Sequence, residues 1–158
     1  MKIIKADLWN TQDNIVFVTG NSFIKSNGTL TMGKGAALEL AKRYPIMPIV
    51  FGEIINNTCG HLGIYGIITS KPFRSSINDP MKLFGVFQTK TDFKQNSRIE
   101  YIENSTQFLK DFSEINKFPN ISCNFPGIGL GKLDYESVYE CIRTLPDNIS
   151  FYIKDENR

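Results

Sequence analysis

Residues 121–138 of the chain read ISCNFPGIGLGKLDYESV and combine an apolar run, a glycine-rich segment and a helical pattern. The stretch begins with the apolar segment Ile121–Phe125, which predicts a buried strand, and it runs into a predicted helix over Tyr135–Leu145. Between them, Pro126–Gly131 has a glycine at every second position, a spacing that is costly in a strand and poor in a helix. We therefore predict a loop with open backbone N–H donors, a geometry that binds anions.

A second glycine-rich segment lies earlier in the chain, where Thr31–Ala37 reads TMGKGAA directly before a predicted helix. Glycines let the backbone approach a ligand closely, and a helix start offers free N–H groups with partial positive charge. The segment lacks the spacing of a P-loop and of the dinucleotide-binding fingerprint. Alone it is also compatible with an ordinary turn, but two such loops favour a site for a phosphate or diphosphate.

The rest of the chain alternates short apolar runs with helical patterns. A helix is predicted from Gly35 until Pro45 ends it, and another over Ser97–Glu114, with Ser97 as its N-cap and Glu100 completing a capping box. The stretch Pro48–Asn56 fits either a strand or a helix, and the helix is favoured. Further strands are predicted over Lys2–Ala6, Ile15–Thr19, Leu62–Thr69, Leu83–Thr89 and Ile149–Ile153.

Alternation of strands and helices predicts an α/β fold. The long connections favour a central mixed, mostly parallel sheet of about six strands, with helices on both faces. We expect one domain over residues 1–158, because 158 residues are enough for one core and too few for two. The tail 154–158 is expected to be frayed.

Composition limits the function classes. Hydrophobic residues make up 41% and charged residues 22%, typical of a globular protein, and the net charge of +2 neither argues for nor excludes a nucleic-acid substrate. The N-terminus lacks the apolar core of a signal peptide, and no run is long enough to span a membrane, so we predict a cytoplasmic protein. Three scattered cysteines and one histidine predict free thiols and no metal site: Cys59, Cys123, Cys141 and His61.

Four segments, taken together and in order, resemble the macrodomain family. They are KIIKADLW (2–9), IVFVTGN (15–21), MGKGAALELAKRYP (32–45) and NFPGIGLGKLDYESV (124–138). The resemblance covers nearly the whole chain. It implies the macrodomain fold and ADP-ribose as the ligand, with the diphosphate between the two glycine loops and no cofactor.

The resemblance also implies roles for single positions. Asp7 matches the aspartate that accepts a hydrogen bond from the adenine amino group, with Leu8 beside it, and Tyr152 either stacks on adenine or lies in the core. Asn21 matches the asparagine at the distal ribose, although the preceding Val18-Thr19-Gly20 departs from the family's usual NAA. The two diphosphate loops correspond to Gly33, Gly35 and Ala36, and to Gly127, Ile128, Gly129, Leu130 and Gly131.

The segment VFQTKTDFKQNSRIEYIENS (86–105) resembles macrodomain antitoxins that remove ADP-ribose from DNA, in which a lysine follows a strand ending in threonine. Related glycohydrolases that release ADP-ribose from protein carboxylates also use a lysine from this region. Lys90 is the matching position, so Lys90 and Asn21 are the candidate catalytic residues. The aspartate that the protein-acting enzymes add in the second loop aligns with Gly131, and Asp134 is not assigned that role.

Three functions are compatible with these residues. A glycohydrolase would release ADP-ribose from modified DNA or protein, and we expect it to act as a monomer. A binding module would read ADP-ribose without chemistry, and a phosphatase would act on ADP-ribose 1″-phosphate. A basic rim with two aromatic side chains for base stacking would suit a DNA strand, although scattered surface charge explains it as well: Lys25, Lys34, Arg43, Lys71, Arg74, Lys94, Arg98, Phe73 and Phe93.

Overall fold

The computed structural model describes residues 1–154, which form a six-stranded sheet with helices on both faces. The strands are β1 (Lys2–Lys5), β2 (Ile15–Gly20), β3 (Ile67–Thr69), β4 (Leu83–Gln88), β5 (Ile121–Asn124) and β6 (Ile149–Ile153). The helices are α1 (Gly35–Arg43), α2 (Met47–Thr58), α3 (Ile99–Ile115) and α4 (Tyr135–Ile142). The ambiguous stretch Pro48–Asn56 is helical, as favoured.

The strand order is β1-β6-β5-β2-β4-β3. Every neighbouring pair is parallel except β3 and β4, which run antiparallel. The predicted mixed, mostly parallel sheet is therefore confirmed. Because β2, β4 and β5 are adjacent and parallel, their carboxyl ends meet at one edge of the sheet.

Two apolar clusters, one on each face of the sheet, form the core. Successive residues of a strand point to opposite faces, and β2 divides accordingly: Val16 and Val18 pack under α1 and α2, whereas Phe17 packs under α3 and α4. The helices contribute fully buried side chains to these clusters, among them Leu40, Phe51 and Ile55 on the first face and Ile102, Leu109, Val138 and Ile142 on the second.

The predicted strand Leu62–Thr69 is wrong over its first part. Only Ile67–Thr69 pairs with β4, and Leu62 and Gly66 have φ angles of 62° and 76°, which belong to turns. The N–H groups of Tyr65 and Gly66 are bound by the side-chain oxygen of Gln88 instead of by a neighbouring strand. The apolar run therefore supplies a turn, of which only Tyr65 and Gly66 are buried, followed by a short edge strand.

The predicted capping box at Ser97 is also wrong. Helix α3 begins at Ile99, and its N-cap is Arg98, which makes no side-chain capping hydrogen bond. The backbone N–H of Ser97 donates to the carbonyl of Gly131 at 2.9 Å, while Glu100 pairs with the Arg98 guanidinium at 3.0 Å. Ser97 thus joins the start of α3 to the second glycine loop.

The frayed tail predicted over 154–158 lies outside the described residues, apart from Lys154. The Lys154 ammonium lies 3.5 Å from the Glu39 carboxylate and 3.7 Å from that of Asp7. Over residues 1–154, each helix is too short or too polar to cross a lipid bilayer. In the same part of the chain the three cysteines are free, and no three His, Cys, Asp or Glu side chains are grouped to hold a metal ion.

Candidate functional site

A cavity of about 770 Å³ opens at the carboxyl ends of β2, β4 and β5. Ligands of open α/β sheets bind at this edge, and the volume suits a small-molecule ligand. Three segments line most of the cavity: the first glycine loop (31–37), the second glycine loop with its flanks (124–132) and the connection between β4 and α3 (89–97). The fold therefore brings both predicted loops to one site.

A polar pair, Thr19 and Asn124, lies where β2 and β5 separate. Backbone pairing between these strands ends at Phe17 and Cys123. Beyond it, Oδ1 of Asn124 accepts a hydrogen bond from the Thr19 N–H at 2.9 Å, and Nδ2 donates to Thr19 Oγ1 at 2.8 Å. A side-chain amide thus replaces the backbone ladder, and the strands diverge into the cavity without leaving the Thr19 N–H unpaired.

The first glycine loop leaves open space in front of its backbone. Gly33, Gly35 and Ala36 all line the cavity, and a Cβ added at Gly33 or Gly35 would meet no atom within 4 Å. Gly35 has a φ of 60° and begins α1, with Lys34 at the N-cap and no side chain capping the helix. The free N–H groups of this first turn are therefore available to an anion.

The second glycine loop contributes Gly127, Ile128, Leu130 and Gly131 to the cavity lining. Gly127 has a φ of 77°, and its carbonyl accepts a hydrogen bond from the Leu133 N–H at 2.9 Å, which closes the loop. The fifth predicted residue, Gly129, does not line the cavity. It begins a short 3-10 turn over Gly129–Gly131 with a φ of 63°.

Lys90 lines the cavity just beyond the end of β4 and is half-buried. Burial and, to a lesser extent, the positive charge of Lys34 lower the pKa of the Lys90 ammonium, because both disfavour its charged form. Within residues 1–154, no carboxylate lies within 4.0 Å of this ammonium. The nearby Asp92 carboxylate accepts a hydrogen bond from the Lys94 N–H at 3.0 Å.

The cavity lining carries a net positive charge. Its lining contains Lys34, Lys90, Lys94 and Lys132, and no Asp or Glu from the described part of the chain. Such a charge distribution attracts polyanionic ligands. Cleavage of a glycosidic bond by paired carboxylates requires two acidic side chains at the bond, and the described lining supplies neither.

Asn21, the other candidate catalytic residue, lines the same cavity as Lys90 and is buried. Its amide Nδ2 donates to the Thr31 carbonyl at 3.1 Å, and its Oδ1 accepts from the Phe23 N–H at 2.9 Å. These bonds tie the end of β2 to the start of the first loop. The amide retains one N–H and one lone pair for a ligand.

The residues predicted for adenine lie outside the cavity lining but along the same edge of the sheet. Asp7 follows β1 and accepts a hydrogen bond from the Trp9 N–H at 3.0 Å. The Leu8 side chain is buried in the core, and Tyr152, on the intervening β6, is half-buried against the same cluster. The carboxyl ends of β5, β6 and β1 therefore lie side by side between the cavity and Asp7.

The predicted aromatic and basic rim is only partly present. Phe93 is 43% exposed and lines the cavity, as do Lys34 and Lys94. Phe73, by contrast, packs into the core cluster against Tyr44 and Phe84 and does not face the cavity.

Two polar residues acquire roles that sequence reasoning missed or left open. Gln88, at the end of β4, is fully buried and makes several hydrogen bonds, one of them to the Lys90 carbonyl. The sequence signal for this role was one polar residue at the end of the apolar run LFGVFQ.

Asp134 caps α4 and accepts hydrogen bonds from Ser137, which lower the pKa of its carboxyl group. Asp134 does not line the cavity.

No family model and no curated protein matches the chain. Several solved structures, by contrast, match the chain. The macrodomain of Thermus aquaticus DarG matches with a TM-score of 0.76 and 18% identity, over 98% of this chain and 97% of that chain. The macrodomain of Mycobacterium tuberculosis DarG matches with a TM-score of 0.74 and 23% identity, over 95% of each chain.

A third solved structure, Thermosipho africanus DarTG in complex with ADP-ribose, matches with a TM-score of 0.77 and 18% identity, over 99% of this chain and 42% of that longer one. At these identities the similarity shows the architecture of the chain and not its activity. The resemblance predicted from the four sequence segments is confirmed at that level. The chain has the macrodomain fold.

Proposed function

We propose that the protein binds ADP-ribose in the cavity and hydrolyses the bond between the distal ribose and a modified macromolecule. The observation that carries this proposal is the position of Lys90, a half-buried lysine of lowered pKa, in a cavity lined by lysines and by both glycine loops. The structural similarity to a DarTG solved with ADP-ribose supports the choice of ligand.

The ligand would run along the carboxyl edge of the sheet. The diphosphate would lie between the first loop, at Gly33, Gly35 and Ala36, and the second loop. Open N–H groups and neighbouring lysines suit its charge. The distal ribose would then reach Asn21 and Lys90, and adenine would lie towards β6 and β1, near the residues predicted for it: Asp7, Leu8 and Tyr152.

The lowered pKa of Lys90 favours catalysis over binding alone. A neutral amine can attack the anomeric carbon of the distal ribose, and the macromolecule leaves with the bonding electron pair and takes up the proton that the amine loses. Water then releases ADP-ribose from the lysine. Binding of a diphosphate, by contrast, requires the charged form of a lysine and no neutral amine.

The proposal is tested by measuring free ADP-ribose released from ADP-ribosylated single-stranded DNA and from an ADP-ribosylated protein, alongside binding of ADP-ribose by calorimetry. Release from one substrate identifies the substrate class, which is open between DNA and protein. Binding without release would support the alternative of a binding module. Release of phosphate from ADP-ribose 1″-phosphate would support the alternative of a phosphatase. Absence of binding would refute the proposal. The monomeric state and the cytoplasmic location stay predictions.

Gly33→Ala is expected to weaken ADP-ribose binding without unfolding the protein. The added methyl group meets no protein atom, and the φ of Gly33 is not positive, so the free energy of unfolding should change by less than about 1 kcal/mol. The methyl group would occupy the space proposed for the diphosphate, so calorimetry should show a Kd about tenfold higher or more. Gly28→Ala is the control: at its φ of 86° it should cost stability and leave the Kd unchanged.

Lys34→Met is expected to shift the pH dependence of ADP-ribose release to higher pH. The positive charge of Lys34 lowers the pKa of Lys90, so its removal raises that pKa. The neutral fraction of Lys90 at pH 7–8 then falls, and kcat falls with it, by about tenfold for each unit of increase in pKa. A pH–kcat profile measures the shift. If kcat of Lys34→Met rises over the same pH range as kcat of the wild-type protein, Lys34 does not lower the pKa of Lys90.

A further inference from the structure

The side chain of Gln88 is fully buried at the end of β4, one residue before the Thr89–Lys90 step into the cavity. Burying an amide costs free energy unless its donors and acceptor are paired. An apolar side chain of similar size would have filled the same space without that requirement. The partners of the amide therefore indicate why a polar residue stands here.

The carbonyl oxygen of the Gln88 side chain binds the turn before β3. Oε1 accepts from the N–H groups of Tyr65 at 2.8 Å and Gly66 at 3.2 Å. The amide nitrogen binds in the other direction: Nε2 donates to the Gly63 carbonyl at 2.9 Å and to the Lys90 carbonyl at 3.2 Å. One side chain thus connects the backbone of Lys90 to the turn before β3.

The same cluster also includes the end of β2. Nε2 of Gln88 lies 3.4 Å from Ser22 Oγ, and the Ser22 N–H donates to the Thr91 carbonyl at 3.0 Å. The buried Tyr65 hydroxyl donates to the Asn21 carbonyl at 2.8 Å. The backbones of Asn21 and Lys90, which enter the cavity from different strands, are therefore held by one connected set of buried and partly buried hydrogen bonds.

We propose that Gln88 is a positioning residue, which holds the backbone of Lys90 in a fixed place relative to Asn21 at the distal-ribose end of the cavity. This inference rests on the proposed function. The chemistry requires the lysine amine and the ribose anomeric carbon to meet at a defined distance, and a misplacement of about 1 Å can reduce a rate by about 100-fold. Gln88 acts through the backbone of Lys90 and does not touch the substrate.

The test compares Gln88→Met, which keeps the size of the side chain and removes its hydrogen bonds, with Asn148→Leu. Asn148 donates its amide to Ser113 Oγ and the Pro119 carbonyl at the far end of the sheet, so its loss is a matched loss of amide hydrogen bonds. For each protein, kcat and the Kd of ADP-ribose are measured. The pH dependence of acylation of Lys90 by an amine-reactive reagent is followed by mass spectrometry.

For folded Gln88→Met, kcat is expected to fall by about 10- to 100-fold while the Kd of ADP-ribose stays within about threefold. The acylation midpoint of Lys90 should move to higher pH, because a less restrained lysine gains water. The other charged groups of the described lining, Lys34, Lys94 and Lys132, are unchanged by the substitution. Asn148→Leu should lose stability and keep the wild-type kcat and midpoint.

An unchanged acylation curve and kcat in folded Gln88→Met would overturn the proposal. Should Gln88→Met fail to fold, Ser22→Ala decides: it removes the hydroxyl shared with Gln88 and should lower kcat by about 2- to 5-fold. Wild-type values in that variant would equally overturn the proposal. Should the wild-type protein release no ADP-ribose, the proposed function fails, and the acylation curves still decide whether Gln88 positions Lys90.

Discussion

Replacing Lys90 with alanine is expected to reduce the rate of ADP-ribose release by about 10²- to 10⁴-fold, while ADP-ribose still binds within about threefold. The reason is the chemistry proposed for the cavity: the described lining has no carboxylate, so the half-buried amine of Lys90 is the group placed to attack the anomeric carbon. Single-turnover release, from whichever substrate the wild-type protein cleaves, measures the loss, and calorimetry measures retained binding.

Lys90→Arg separates charge from nucleophilicity. The guanidinium keeps the positive charge and stays protonated, so it cannot supply a neutral nitrogen, and the variant should be as inactive as Lys90→Ala. Lys110→Ala, on α3 and outside the cavity lining, is the control for loss of a lysine elsewhere. Substantial activity in Lys90→Arg would mean that Lys90 acts only as a fixed charge, and the nucleophilic step would have to be abandoned.

Gly52→Ala is expected to destabilise the fold by about 3 kcal/mol, the upper part of the range for overpacking a core. Gly52 lies in the middle of α2, where alanine normally favours a helix. Here an added Cβ would overlap the Gly28 carbonyl oxygen and lie 3.0 Å from the Leu30 nitrogen. Both are backbone atoms, which cannot move aside by changing a rotamer.

Denaturant unfolding of Gly52→Ala and of Asn56→Ala, an exposed position on the same helix, measures this effect. The Asn56 variant should be unchanged or slightly more stable, since alanine is the better helix former. The segment against which Gly52 packs leads directly into the first glycine loop, and the Leu30 N–H donates to the Pro48 carbonyl of α2 at 2.9 Å. If Gly52→Ala lowers the free energy of unfolding by less than about 1 kcal/mol, this segment can move away from the added methyl group at little cost.

The parts of the site that could be predicted from the sequence are those in which backbone geometry leaves a local signature. Glycines at every second position after an apolar strand, and a glycine pair before a helix, indicated two anion-binding loops. Both loops contribute to the cavity, and of the loop residues predicted to bind the ligand only Gly129 does not line it. Lys90 was found through its resemblance to a lysine after a strand, and the structure places it beside the same loops.

The parts that could not be predicted depend on partners distant in the sequence. The run Leu62–Thr69 has the composition of a buried strand, but the amide of Gln88, more than twenty residues later, binds its N–H groups and keeps the first half in a turn. Ser97 has the pattern of an N-cap, yet its N–H is bound by Gly131. Nor does spacing show that Leu8 faces the core while Asp7 stays at the sheet edge.

The two hydrogen bonds between the Asn124 amide and Thr19 have a consequence for how ligand specificity can change in this fold. Because one side chain takes over where the backbone ladder between β2 and β5 stops, the width of the crevice depends on the length and hydrogen bonding of a single residue. A shorter or longer side chain at position 124 would alter the angle at which the two strands part, while strand order and core packing stay as they are. A substitution at position 124 is therefore expected to change the size of ligand that fits the crevice.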